Sequence, residues 1–184
     1  MHMSSKSRKT LISPAHSIDR WENEGGATGV MSCVKMLVLG IGNLLLGDEG
    51  AGVHAARSLM EDGCPSEVTA LDFGTAVLDV PPELEEADLI IVLDAVKGDC
   101  KPGTVYRMPL AVGPSSPRIA SMHGFDLSRV LALARRSSPP EVIVIGVEPE
   151  RIEWSLELSS SVAGAIPAML KAVLREISKH GVRS

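Results

Sequence analysis

Aromatic residues, cysteine pairs, excess basic charge and long apolar runs are all scarce or absent in this chain of 184 residues. Aromatic side chains make up only 3% of the sequence, although 45% of it is hydrophobic. Aliphatic side chains must therefore fill the interior, which favours a β-sheet covered by helices. A chain of this length supports one well-buried domain.

The lack of basic surface excludes several classes of partner. The formal net charge is -5, and Lys and Arg cluster only in the N-terminal tail. Nucleic acids and anionic membranes attract proteins with a basic face, so we expect neither as a partner. No apolar run approaches the roughly 18 residues that cross a membrane, and no secretory signal pattern opens the chain. We expect a cytoplasmic, monomeric protein.

Cysteine usage excludes two kinds of structural cross-link. Cys33, Cys64 and Cys100 are odd in number and widely spaced, with no C-x-x-C pair. Neither a disulfide framework nor a thiolate zinc site is therefore indicated. We expect reduced, buried thiols.

The chain divides into two regions of different character. Residues 1–35 show no apolar periodicity and are predicted to be a disordered N-terminal extension or tag, with the functional domain at 36–184. Within that domain, apolar runs predict strands at 36–39, 68–71, 89–93, 104–107 and 142–147. Helical patterns fall at 52–60, 125–135 and 162–177. This alternation predicts a single-domain α/β fold, with a mostly parallel twisted sheet of about five strands and helices on both faces.

The last predicted helix carries its own start signals. Ser159, Ser160 and Ser161 are candidate N-cap residues, and Pro167 near the start should bend the helix.

The loop after the first strand carries acid where a nucleotide site would need other residues. A dinucleotide fingerprint requires glycine at the position of Leu45, and a phosphate loop requires Lys followed by Ser or Thr. We therefore expect no nucleotide. The loop instead continues into Asp48 and Glu49. Asp48 could cap the following helix and Glu49 could complement its positive end, or both could belong to a site.

Asp94 directly follows the apolar run Leu89–Leu93. Ligands of open α/β sheets bind beyond the carboxyl ends of the strands, so this carboxylate is a candidate site residue. It could equally form a turn, with its oxygens on backbone N–H groups. If the first and third strands are neighbours, about 4.8 Å apart, Glu49 and Asp94 lie near one another. A divalent cation would relieve their repulsion.

His123 precedes a predicted helix in the segment SMHGFDL. A lone histidine is usually structural. Its rival His54 follows Glu49 by five residues, about 140° around a helix, and should point away from it. One histidine with two carboxylates would suit nickel or zinc.

Together these segments resemble the hydrogenase maturation peptidases, which process the large subunit of nickel-iron hydrogenases. The resemblance spans Met36 to about Ile177 and rests on VLGIGNLLLGDEGAGV, LDFGT, LIIVLDAV, PGTV, SMHGFDL and VIVIGVEPE. It implies that Glu49, Asp94 and His123 bind the metal and act in catalysis. Asp48, Asn43 and Asp72 are expected to support them.

The resemblance also implies the reaction: an endopeptidase removes the C-terminal extension of the precursor large subunit once nickel has been installed. Nickel would belong to this partner and serve as the recognition signal. Cleavage could be of the aspartic type, with a carboxylate activating water, or metal-assisted. The chain has no Gly-x-Ser-x-Gly elbow and no cysteine beside the three ligands, which disfavours a covalent nucleophile.

The sequence allows an alternative for Asp72 and one for the function. The family often has a second glycine where this chain has Phe73, so we expect the loop around Asp72 to differ from that of the family, and Asp72 could simply shape that loop. A non-catalytic nickel-sensing chaperone or carrier on the same scaffold would need the same ligands without cleavage.

Overall fold

The computed structural model of the protein describes residues 35–75, 82–110 and 140–181. In this part of the chain, five strands form one sheet in the order β2-β1-β3-β5-β4. The strands are β1 (Met36–Ile41), β2 (Val68–Gly74), β3 (Leu89–Ala95), β4 (Val105–Pro109) and β5 (Glu141–Val147). All neighbours are parallel except β4, which runs antiparallel to β5. The predicted α/β fold with a mostly parallel sheet is confirmed.

Helices cover both faces of this sheet. The described helices are α1 (Ala51–Asp62), α2 (Pro82–Glu86), α3 (Ser160–Ala163) and α4 (Ile166–Lys179), with a 3-10 turn at Asp48–Gly50. On one face, Leu59 of α1 and Met169 of α4 pack into a core cluster with β1, β3 and β5. On the other face, Leu84 of α2 joins a second cluster. The predicted helix at 125–135 lies outside the described residues.

Burial along the strands follows their place in the sheet. Every residue of the central strands β1 and β3 is buried, whereas the edge strands β2 and β4 are partly exposed. Continuous aliphatic runs suit strands that are covered on both faces, where each large side chain contributes about 1.5 to 3 kcal/mol on burial. The strand predicted at 104–107 is found as β4, at one edge of the sheet.

The C-terminal helical region is divided in two. Ser159 caps α3 by accepting a hydrogen bond from Val162 N–H, as predicted, but α3 ends at Ala163 and a new helix, α4, begins at Ile166. Pro167 occupies the first turn of α4, where its missing N–H leaves no hydrogen bond unmade. The prediction of one bent helix is therefore wrong, because proline here starts a helix.

The thiols differ from expectation. Cys100 is exposed and Cys64 is half-buried, so the prediction of buried thiols is wrong for Cys100. Burial raises the pKa of the Cys64 thiol. Cys33 lies outside the described residues, and the proposed boundary at residue 35 stays a prediction. Within the described ranges, no helix has the length and apolar character needed to span a bilayer.

Candidate active site

Two glycines seat the start of α1 directly on the carboxyl ends of β1 and β3. A Cβ atom on Gly52 would lie 2.1 Å from the carbonyl oxygen of Leu93 and 2.4 Å from that of Ile41. Gly42, with φ at +138°, comes so close to the Glu49 carbonyl that a Cβ atom would lie 1.9 Å from its oxygen. Any larger residue at either position would push the turn away from the sheet.

This packing brings Glu49 and Asp94 to the same edge of the sheet. Glu49 lies in the 3-10 turn, which contacts β3, and Asp94 is the penultimate residue of β3. Both carboxylates are buried, with exposed fractions of 4% and 1%. One oxygen of Asp94 accepts a hydrogen bond of 2.8 Å from Ala95 N–H, so the turn-forming interaction considered from the sequence is present as well. The expected adjacency of β1 and β3 is confirmed.

Asp48 anchors a distant segment. Neither the 3-10 turn nor α1 has a side-chain cap, so of the two alternatives for Asp48, capping of the helix does not hold. Its fully buried carboxylate accepts hydrogen bonds of 2.7 to 3.0 Å from the N–H groups of Glu150, Arg151 and Ser159 and from the Ser159 hydroxyl. Burial raises the pKa of Asp48, but the donated bonds outweigh it and hold that pKa below its usual range.

Asp72 lies at the end of β2, beside a bulge that accommodates Phe73. The register passes from Gly40 opposite Asp72 to Ile41 opposite Gly74, and Phe73 is the extra residue. Its side chain is buried in the second core cluster, while Gly74 keeps a positive φ of 53°. The strand therefore accommodates Phe73 in place of a glycine by forming a bulge.

The Asp72 carboxylate forms an ion pair with Arg57 of α1, at 2.7 Å between Oδ2 and Nη2. His54, half-buried on the same helix, has its pKa lowered by burial and by the Arg57 charge, with partial opposition from Asp72. Asn43 shapes its own loop, because its side-chain oxygen accepts a hydrogen bond from Leu45 N–H at 3.0 Å. Roles for Asp72 and Asn43 beside the predicted ligands stay predictions.

Glu148 escapes prediction from the sequence, although it directly follows β5 and so meets the same end-of-strand criterion as Asp94. Its buried carboxylate accepts hydrogen bonds from Gly98 N–H at 2.8 Å, from Cys100 N–H at 3.3 Å and from the Tyr106 hydroxyl. Burial raises the pKa of Glu148, but the hydrogen bonds have the larger effect and hold that pKa below its usual range. The hydrogen bond to Glu148 in turn raises the pKa of Tyr106. Glu148 thus fixes the loop that follows Asp94.

His123 lies outside the described residues, so its position relative to the two carboxylates stays a prediction. Across residues 35–75, 82–110 and 140–181, no three acidic, histidine or cysteine side chains are grouped as a metal site. Glu49 and Asp94 by themselves offer two oxygen ligands for a borderline divalent ion, or one carboxylate base for a water molecule.

The comparisons of this chain with known proteins agree on one protein family. A model described as hydrogenase maturation protease matches residues 53–176. The hydrogenase expression/formation protein HupD of Rhodobacter capsulatus is 35% identical over 157 residues, which cover 80% of this chain and 73% of that protein.

Solved structures show the same likeness. The hydrogenase maturating endopeptidase HybD from E. coli matches with a TM-score of 0.70 and 32% identity, covering 80% of this chain and 94% of the other. The NiFe hydrogenase maturation protease HybD from Thermococcus kodakarensis matches with a TM-score of 0.64 and 26% identity, covering 78% of this chain and 99% of the other.

Proposed function

The chain belongs to the hydrogenase maturation protease family, and we propose that it removes the C-terminal extension of a nickel-loaded hydrogenase large-subunit precursor. As a member of that family it is a peptide-bond hydrolase. The observation that carries the proposed use of nickel is the pair of buried carboxylates, Glu49 and Asp94, on two contacting elements at one edge of the sheet.

Nickel enters this reaction as part of the substrate. In our proposal Glu49, Asp94 and His123 complete the coordination of nickel exposed in the precursor, and this places the scissile peptide beside them. Carboxylate oxygens and imidazole nitrogen suit a borderline cation such as nickel. Because a precursor without nickel would lack this anchor, it would escape cleavage.

Cleavage needs an activated water molecule. One carboxylate accepts a proton from water, the hydroxyl oxygen bonds to the scissile carbonyl carbon, and the C–N bond breaks as the departing amine takes up a proton. Polarisation of the water or carbonyl by the substrate's nickel is the other route. We also propose that the enzyme acts in the cytoplasm as a monomer.

The test is the intact mass of a nickel-loaded large-subunit precursor, and of its nickel-free form, before and after incubation with the protein. We expect the loaded form alone to lose a short C-terminal peptide. Equal cleavage of both forms would refute recognition through nickel. An unchanged mass together with a stable complex would instead identify a nickel-sensing carrier.

A further inference from the structure

Three large apolar side chains are exposed beside the candidate site. Trp154 is 81% exposed, Leu156 is 71% exposed and Leu45 is 48% exposed. We call these three residues the Trp154 patch. Exposed apolar side chains are ordinary when scattered singly, but a group of them marks an interaction surface. Tryptophan in particular is enriched among the residues that dominate binding energy at protein interfaces.

Backbone hydrogen bonds hold the members of the patch together. Gly47 N–H donates to the Ser155 carbonyl at 2.8 Å, and Ser155 N–H donates to the Leu45 carbonyl at 3.1 Å. Ser155 is therefore bridged to the loop that carries Leu45, while Trp154 and Leu156 flank it on either side. Two segments far apart in sequence, each carrying exposed apolar side chains, are thus joined through their backbones.

Asp48 connects this patch to the candidate site. Its carboxylate holds the backbone of Glu150, Arg151 and Ser159, on both sides of the patch segment, while the adjacent residue Glu49 supplies a site carboxylate. The backbone on both sides of the patch segment is consequently held before a partner arrives, which reduces the backbone entropy lost on binding. A partner that covers the patch also lies over the edge of the sheet where Glu49 is found.

Exposed acidic residues neighbour Trp154 and Leu156 along the chain. Glu150, Glu153 and Glu157 are exposed, and the one basic neighbour in this segment, Arg151, pairs with Glu153 at 3.4 Å. A complementary partner would carry an apolar surface bordered by Lys or Arg.

We propose that the Trp154 patch is the docking surface for the large-subunit precursor, which binds it through an apolar area bordered by basic residues. This inference rests on the proposed function, since the partner is the substrate of that reaction. A second copy of this chain fits less well, because a copy seated on the patch would obstruct the site that must receive a folded protein. Docking adds binding energy that is independent of the substrate's nickel.

The first test separates docking from chemistry. Steady-state cleavage of nickel-loaded precursor is compared for the wild type, Trp154→Ser and Leu156→Ser, with Leu174→Ser as the matched control on α4, where Leu174 is 47% exposed. We expect KM to rise about tenfold for Trp154→Ser, equivalent to about 1.4 kcal/mol, with kcat unchanged. Leu174→Ser should behave as the wild type. An unchanged KM, or a loss confined to kcat, would overturn docking at the patch.

Equilibrium binding keeps the inference testable if cleavage itself is not observed. Nickel-free precursor should bind the wild type more tightly than Trp154→Ser, and the difference should persist with the loaded form. If the wild type cleaves but both proteins bind equally, the docking surface is wrong while the proposed function stands. If the wild type binds through the patch without cleaving, the proposed reaction fails and docking stands.

A spectroscopic experiment identifies which molecule binds the Trp154 patch. The chain contains two tryptophans, so Trp21→Phe leaves Trp154 as the single site for 5-fluorotryptophan labelling of the full chain. We expect its fluorine resonance to shift and lose its solvent-isotope effect when precursor is added. A resonance that changes with the enzyme's own concentration would assign the patch to self-association, and one that ignores precursor would refute docking.

Discussion

The acidic side chains at the two ends of the parallel strands are held in different ways. At the carboxyl end, Asp48 and Glu148 accept hydrogen bonds mainly from backbone N–H groups. Towards the amino end, Glu86 pairs with Lys35, and Glu141 lies 3.2 Å from His180, an ion pair only when that imidazole is protonated. Asp72, at the outer side of the carboxyl end, is an exception, because it pairs with Arg57.

This difference has a consequence for charge. A salt bridge neutralises an acid, whereas a backbone N–H group stabilises the carboxylate and leaves its net negative charge in place. The carboxyl end of the sheet therefore keeps acids that are both rigid and ionised beside Glu49 and Asp94. That environment favours an approaching cation, as the proposed recognition of nickel requires.

The largest expected effect is on the candidate site itself. Replacing Asp94 with Asn should reduce processing of nickel-loaded precursor by at least about 100-fold, because an amide neither carries charge nor accepts a proton from water. Processing is followed by intact mass, and circular dichroism should show an unchanged fold. Glu86→Gln, at the opposite end of the strands, is the matched control and should process normally. Full activity of Asp94→Asn would remove Asp94 from the site.

The next largest effect is on stability. Asp48→Ala should lower the free energy of unfolding by about 2 to 4 kcal/mol, because it leaves buried donors of the 150–159 segment without their acceptor. Urea denaturation measures this loss. Asp48→Asn, which keeps the shape but presents an amide, should lose part of that amount. A loss below about 0.5 kcal/mol in Asp48→Ala, typical of surface substitutions, would show that the segment is held by other contacts.

A smaller effect on stability depends on pH and tests a carboxylate that is held by cationic side chains. Hydrogen bonds from Arg107 outweigh burial and, together with Lys179, hold the pKa of Glu176 at about 2, below its ordinary value of 4.5. Since the folded state favours the ionised form, this stabilisation is fully present above about pH 4.5 and is lost as pH falls towards 2.

Glu176→Gln lacks this contribution. Relative to the wild type, it should lose about 1 to 3 kcal/mol of unfolding free energy near neutral pH, and the gap should narrow as pH falls below about 4.5. Urea titrations of both proteins across that range provide the measurement. A gap of constant size at every pH would mean that the ion pairs do not carry the stabilisation.

The smallest effect is expected for the exposed pair of Lys35 and Glu86, whose side chains are each 64% exposed. Because water and salt screen such pairs, Glu86→Gln should leave the urea midpoint unchanged at low and at high salt. A clear drop in the urea midpoint of Glu86→Gln at low salt would show that the surface ion pair at the amino end contributes to stability, contrary to this expectation.

Much of the fold can be predicted from the sequence, for identifiable reasons. β1 and β3 are continuous aliphatic runs, and only strands covered on both faces tolerate such runs without exposing them. Asp94 can be located because the apolar run ends directly before it. Division of the C-terminal region into α3 and α4 is harder to predict, because Pro167 is compatible with both a bend and a new start.

Less of the candidate site than of the fold can be predicted from the sequence. Asp48 can be recognised as an acid in a glycine-rich loop, but the donors it meets lie more than 100 residues further along the chain. Nothing local marks Glu150 or Ser159 as its partners. Glu148 shares this property, since the loop and hydroxyl that bind it belong to other elements.

By itself, the sequence determined the strands, the alternation of strands with helices and the placement of acids just after apolar runs. These features depend on periodicity and on the conformational preferences of neighbouring residues, which are local. Only the tertiary structure decided which acids are held by backbone donors, where the segment of Ser155 meets the loop of Leu45, and how Phe73 fits into a bulge. Those outcomes depend on buried polar groups finding partners and on close packing between distant segments, which no local pattern encodes.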